Sequence, residues 1–279
     1  MHDGRVVAWW IFLCGVSVAN LAAWAVLSLR RGAFSRAQGA LSAVFVAGCA
    51  FRAFLPRTEA RKLCLFDWWI CDAPIARMVA TLAELAFVAQ VALVLHWCAG
   101  NAGVKAARRI SFALVPLIAA AEIFSWSSAL TTNFLGSVLE ESTWVVTFAL
   151  ALAGFALLRG HFSAPVERAL RVAMACAAGY LAFMCLVDVP MYWRRFAHDQ
   201  ALGARYLSIA EGWRDGWQRR VVTWRFEDWR EEMPWMTLYF SAAVWISLAM
   251  AFVQRNSDET MRVPLTNMPP MPALKTKAP

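Results

Sequence analysis

The chain has 279 residues, is 60% hydrophobic and 16% charged, and carries a formal net charge of +8 with a mean hydropathy of +0.50. That balance excludes an ordinary soluble domain, which carries more charge. The basic residues are spread between apolar runs and no nucleic-acid-binding motif accompanies them, so membrane lipids are the expected partners and nucleic acid is not.

Seven apolar runs, at 7–29, 37–55, 73–98, 110–130, 135–158, 170–192 and 235–253, are each long enough to cross about 30 Å of hydrocarbon. The expected fold is all-α: a polytopic seven-helix transmembrane bundle over 1–254. A loop between helices six and seven, 194–234, is expected to be extracytoplasmic and to hold an interfacial amphipathic helix. A disordered cytoplasmic tail is expected over 255–279, where the chain turns polar and proline-rich. Trp9, Trp10, Trp97, Trp193 and Trp235 stand at run ends, as aromatic belts do. The first run is too long for a signal-peptide core and is followed by no A-x-A site, so it is expected to stay as helix one.

Orientation follows from the short loops. Arg30, Arg31 and Arg36 follow helix one, Lys105, Arg108 and Arg109 follow helix three, and Arg159, Arg168 and Arg171 follow helix five. The positive-inside rule then places the N-terminus outside and the C-terminus in the cytoplasm, in what reads as a bacterial inner membrane. The eight arginines of 194–234 pull the other way, but that loop is longer and mixed with acids.

Helix one carries a single amide, Asn20, expected to bond to a neighbouring helix. Arg52 closes helix two and Arg57 follows Pro56; each either snorkels to head groups or pairs with a buried acid. The segment 58–72 is too polar to span, and its Trp68-Trp69-Ile70 core points to an interfacial or re-entrant course. Of the seven cysteines, Cys64 and Cys71 alone lie outside the apolar runs, which makes them a disulfide candidate if that side is oxidising. No second pair or nearby histidine completes a zinc site there.

In helix three, Arg77, Thr81 and Glu84 share a face, and Glu84 lies about halfway across at 1.5 Å per residue. Ala73, Ala80 and Ala83 allow a close helix approach, and His96 falls near the far interface. Pro116 is expected to kink helix four before Glu122, Ser125 and Trp126. The hairpin 121–144 has no lysine or arginine but carries Glu122, Glu140 and Glu141 beside Trp126 and Trp144, so a Glu-xxx-Trp spacing recurs on helices four and five. Asp188, before Pro190, either neutralises the arginines that follow or completes the acidic set. In 194–234, Tyr206, Ile209, Trp213, Trp217 and Trp224 approximate one helical stripe, suited to a membrane surface or to a lid. Pro234 is placed to open helix seven.

Arg52, Arg77, Glu84, Glu122, Glu140, Glu141 and Asp188 come from five helices, and alternating helix direction puts most of them in one half of the bilayer, the outer one. Charges there mark function by default. With Trp126 and Trp144 they form the candidate ligand set, expected to line a polar cavity open to the outer face. Helix seven has no lysine for a retinal Schiff base, no histidine pair suits a haem, and no zincin, lipase-elbow, P-loop or dinucleotide motif occurs. No metal and no cofactor is assigned. Three functional classes remain: binding or transport of a small amphipathic or ionic ligand, which is placed first; an intramembrane enzyme using Glu122 or Glu140 as general acid or base on a lipid or isoprenoid, which an excess of acids beside aromatics favours; and a structural subunit of a larger complex or oligomer whose charges are consumed in ion pairs, which equal numbers of acids and arginines favour.

Overall fold

The computed structural model describes residues 2–30 and 35–252. The tail expected to be disordered, 255–279, lies outside the described residues. The fold is helical, and among the described residues seven helices are long and apolar enough to cross a membrane. In order these are α1 (Gly4–Leu29), α2 (Arg36–Phe54), α3 (Ala73–Ala102), α4 (Lys105–Thr131), α5 (Phe134–Leu157), a long rod Ala164–Ala201, and a last one Met233–Phe252.

Their boundaries follow local chemistry. Asp3 and Ser35 cap the starts of α1 and α2 with side-chain acceptors, and Pro74 sits in the first turn of α3. Gly103, at φ +71°, ends α3 in the left-handed region that favours glycine. Helix α4 continues through Pro116 to Thr131.

The sixth rod departs from the expected 170–192. It comprises α6 (Ala164–Phe183), a π turn over Met184–Asp188, and α7 (Val189–Ala201). Pro190 brings no N–H to the helical ladder, and the wider turn just before it absorbs that loss without ending the helix. The loop to helix seven therefore starts some residues later than 194. Helix seven is built likewise, from α10 (Met233–Leu238), a π turn over Tyr239–Ala243, and α11 (Val244–Phe252). Asn20 Nδ2 donates 2.9 Å to the carbonyl of Phe240 in that π turn, and Trp245 Nε1 donates 2.9 Å to Asn20 Oδ1.

Close packing runs through small residues. A Cβ on Gly48 would lie 2.8 Å from the Cβ of Ala83, and one on Gly136 would lie 2.6 Å from the Phe124 carbonyl oxygen, so α2–α3 and α4–α5 meet nearly backbone to backbone. Nearer the opposite end, Gln38, Ser42, Gln90 and Ser247 form a buried amide–hydroxyl knot that ties α2, α3 and α11.

The segments 55–72 and 202–232 fold together as a cap over one end of the bundle. Here the structure adds a small piece of sheet to the expected all-α fold: β1 (Leu63–Cys64) pairs in parallel with β2 (Val221–Val222). Arg57 donates to the carbonyls of Cys71 and Arg219, Arg220 bridges Asp67 and Asp72, and Trp224 Nε1 donates 2.9 Å to the Leu65 carbonyl. Segment 58–72 thus lies across the bundle end in place of a re-entrant course. The disulfide candidate is not bonded: Cys64 and Cys71 are buried free thiols. Strand pairing holds Cys64 and the Arg57 guanidinium holds the Cys71 carbonyl, so polar backbone contacts close this segment without a crosslink.

The expected amphipathic helix is α8 (Ile209–Gln218), opened by a Ser208–Glu211 capping box. Its glycine face docks on the bundle, Gly212 against the Leu130 carbonyl of α4 and Gly216 against Pro74 of α3. Ile209, Trp213 and Trp217 face outward and are exposed. Trp224 does not share this stripe; it packs on Trp10 and Phe66 in the cap.

Candidate functional site

Beneath the cap, α2 to α5 present a connected set of charged side chains. Arg77 of α3 is the hub. Its Nη2 lies 3.0 Å from Glu122 Oε2 of α4 and 3.1 Å from Glu84 Oε2 of its own helix. Its Nη1 lies 2.5 Å from Ser125 Oγ and 3.4 Å from Glu140 Oε1 of α5. Arg52 of α2 approaches Glu84 Oε1 from the other side at 3.5 Å. Thr81 Oγ1 donates 2.5 Å to Glu122 Oε2 and accepts 3.1 Å from Trp126 Nε1. All five charged groups from Arg52 to Glu140 are buried. The set is therefore enclosed; the expected cavity open to the outer face and rimmed by tryptophans is replaced by a network covered by the cap.

The helical spacing explains the assembly. Arg77, Thr81 and Glu84 stack on one face of α3, and Glu122, Ser125 and Trp126 stack on one face of α4. The approach of α5 at Gly136 brings Glu140, one turn further on, against both. Arg52 is also half-sandwiched by aromatic rings, its guanidinium carbon 5.7 Å from the Trp235 centroid and 5.9 Å from that of Phe240.

Three candidates stand apart from this hub. Trp144 is buried and stacks on Phe148, 5.8 Å between centroids, and forms no rim. The repeated Glu-xxx-Trp spacing thus yields two different roles: Trp126 donates into the network and Trp144 packs. Glu141 turns toward helix six, where Asp188 ends the π turn; the two acids feel each other's charge beside Tyr180 and Tyr192. Among the described residues neither Glu141 nor Asp188 has an ion pair; the nearest cation bearing on Asp188 is Arg195, which bonds Glu231 at 2.7 Å and Glu232 at 2.9 Å.

Two charged groups emerge that the sequence placed only in a polar loop. Glu59 of the cap reaches down to Arg52 Nη2 at 3.3 Å. Burial opposes its charge, yet Arg52 and Arg77 together outweigh burial and hold the Glu59 carboxyl below the usual carboxylate range. Lys62, at φ +58°, inserts its fully buried side chain beneath the cap and donates 2.7 Å to the carbonyl of Ala129, in the last turn of α4. Burial lowers its ammonium to about 8 against the attraction of Asp215, whose Oδ2 stands 3.8 Å away. Proximity to helix two's last arginine was the one signal that could have flagged Glu59.

Two charges against four define the chemistry of the hub. Arg52 and Arg77 face Glu59, Glu84, Glu122 and Glu140. Two oxygens remain without a hydrogen-bond partner although buried: Glu84 Oε2, close to Arg77 but poorly aligned, and Glu122 Oε1. Among the described residues no group of histidine, cysteine, aspartate or glutamate has the arrangement of a metal site. The chain matches no protein-family model, no curated protein and no solved structure, so no family's chemistry is carried to these residues.

Proposed function

We propose that the chain is a multi-pass membrane protein, N-terminus outside and C-terminus in the cytoplasm, that binds or transports a small ionic or amphipathic ligand at the acid-rich hub. Seven helices long and apolar enough to cross a bilayer support the insertion. The exposed rings of Trp68, Trp69, Trp193, Trp213 and Trp217 suit head-group depth around the capped end, and α8 would lie there with its glycine face on the bundle.

The observation that carries the ligand reading is the excess of carboxylates over guanidiniums in one buried network. Uncompensated charge in a low-dielectric interior is strongly unfavourable. A purely structural lock would be expected to balance its charges; this one is short of positive charge and leaves two acceptors, Glu84 Oε2 and Glu122 Oε1, and one donor, Arg77 Nε, without partners. The ligand would therefore bring positive charge, with an apolar remainder if it enters from the lipid. Glu141 of α5 and Asp188 of the helix-six π turn extend the same electronegative track toward the exposed sixth rod, and π turns recur at functional positions.

Native mass spectrometry of the protein released from nanodiscs, wild type against Glu122→Gln, tests this reading. A bound mass present in the wild type and lost in the variant supports it. The same spectra with no adduct in either protein count against it and favour a structural subunit, for which a co-purifying protein would be sought.

A further inference from the structure

The two orphaned oxygens of the hub belong to carboxyls that meet at one guanidinium nitrogen. Glu84 Oε2 and Glu122 Oε2 converge on the same nitrogen, Arg77 Nη2, at 3.1 and 3.0 Å, which sets the two carboxyls side by side. Two carboxylates cannot hydrogen-bond without a proton, because an ionised carboxylate only accepts. A single proton held between them turns one group into a donor, so that both unpaired atoms, Glu84 Oε2 and Glu122 Oε1, gain a partner at once. We propose that Glu84 and Glu122 share one proton and form a proton-binding site inside the bundle.

The surrounding groups fit one added positive charge. From α2, Arg52 and the Cys49 thiol face Glu84; from the cap, Glu59; from α3, Arg77; from α5, Glu140 and, further off, Glu141; from helix seven, the Tyr239 hydroxyl. With every acid ionised, Arg52 and Arg77 oppose Glu59, Glu84, Glu122 and Glu140. The proton comes from a hydronium ion of the bulk: one O–H bond of hydronium breaks and leaves water, one O–H bond forms on the carboxyl pair, and the set loses one negative charge. Arg77 holds both carboxyls against the same nitrogen, and Thr81 donates to the Glu122 oxygen that Arg77 also holds, Oε2, so the pair is oriented, with Oε1 left over, before the proton arrives. Like-charged carboxylates sharing a site retain a proton between them for this reason. This inference rests on reading the hub as a binding site and names its smallest occupant. A cation taken up at the hub would compete with the proton, which is the arrangement a proton-exchanging carrier needs.

Infrared spectroscopy in dodecyl maltoside, a detergent without carbonyl groups, reads the proton directly. A carboxylic-acid C=O band at neutral pH that moves down in D2O is expected in the wild type. It should be lost in Glu84→Gln and in Glu122→Gln, because the amide of the new glutamine donates to the remaining carboxylate and displaces the proton. Gel filtration and far-ultraviolet circular dichroism check that each variant is folded; should one fail, the other carries the test. Absence of the band in the wild type overturns the proposal, as does its persistence in either folded variant. A band lost only in Glu141→Gln or Asp188→Asn also overturns it and moves the proton to the acids between α5 and helix six. A persistent, glutamate-pair-dependent band with no adduct in the native mass spectra would remove the larger-ligand reading and keep the proton site; the reverse pattern would remove only the proton.

Discussion

Arg77 Nη2 reaches across from α3 to Glu122 of α4 at 3.0 Å, both side chains buried. The same guanidinium also holds Glu84 and Glu140. Its planar fork serves several acceptors at fixed angles, which a lysine ammonium cannot reproduce. Removing one partner of a buried pair costs about 3–5 kcal/mol, since the other charge is left uncompensated. Arg77→Met is therefore expected to lower the thermal midpoint in detergent sharply, and Arg77→Lys to recover only part of the loss. Adding Glu122→Gln to Arg77→Met should restore stability, because it removes a stranded charge. A double variant no more stable than Arg77→Met alone would show that Arg77 stabilises by packing and not by pairing.

Glycine at 136 is expected to be required for the hub although it carries no charge. A Cβ there would meet the Phe124 carbonyl at 2.6 Å and Ser128 N and Cβ at 2.8 Å. The first two of these obstacles are backbone, so α4 and α5 must part, at about 1–3 kcal/mol for overpacking. Separation also stretches the 2.8 Å Ser128–Ser137 hydroxyl contact and draws Glu140 from Arg77. Gly179→Ala, with nothing within 4 Å of the added carbon, is the matched control and should be neutral. Equal midpoints for Gly136→Ala and Gly179→Ala would refute the close approach.

Docking of α8 depends on Gly212 more than on Gly216. A Cβ on Gly212 overlaps the Leu130 carbonyl, whereas one on Gly216 meets Pro74 Cδ at 3.2 Å, the edge of a ring that can shift. Gly212→Ala should therefore lift the helix off α4 and accelerate amide hydrogen exchange over 209–218, with Gly216→Ala giving a smaller change. Unchanged exchange in Gly212→Ala would mean that α8 is held by its flanking segments alone.

The helices were legible because hydrocarbon demands long apolar runs, and the hub was legible because charges inside such runs are few enough to follow by topology. Arg52, Arg77, Glu84, Glu122 and Glu140 fall together for that reason. The cap was not legible. Leu63 and Val221 are far apart in sequence and pair over only two residues per strand, too short for alternation to show. Glu59 looked like loop polarity because its nearness to Arg52 in sequence does not by itself say that it turns inward. The Gln38–Gln90 knot escaped because uncharged amides barely dent hydropathy. The sixth run read as ending at 192 because the π turn that carries the helix past Pro190 to Ala201 leaves no sequence mark.

The cap should become more stable with rising pH because of Lys62. Its ammonium is held at about 8 in the folded chain, mainly by burial, against an ordinary value of 10.5. Between those limits the unfolded chain keeps a proton that the folded chain has lost, so stability rises with pH through that window and is flat with respect to this group below it. The gap corresponds to about 3 kcal/mol at 1.36 kcal/mol per unit. Lys62→Met keeps the length and removes the titration, together with the bond to the Ala129 carbonyl. Thermal midpoints of wild type and variant, taken from pH 7 to 10.5, should run parallel up to about pH 8 and then diverge, the wild type gaining. Taking the difference between the two proteins cancels the tyrosines and cysteines that titrate in the same range. Parallel curves throughout would mean that Lys62 stays ionised beneath the cap, held there by Asp215 and the exposed carbonyls of the last turn of α4.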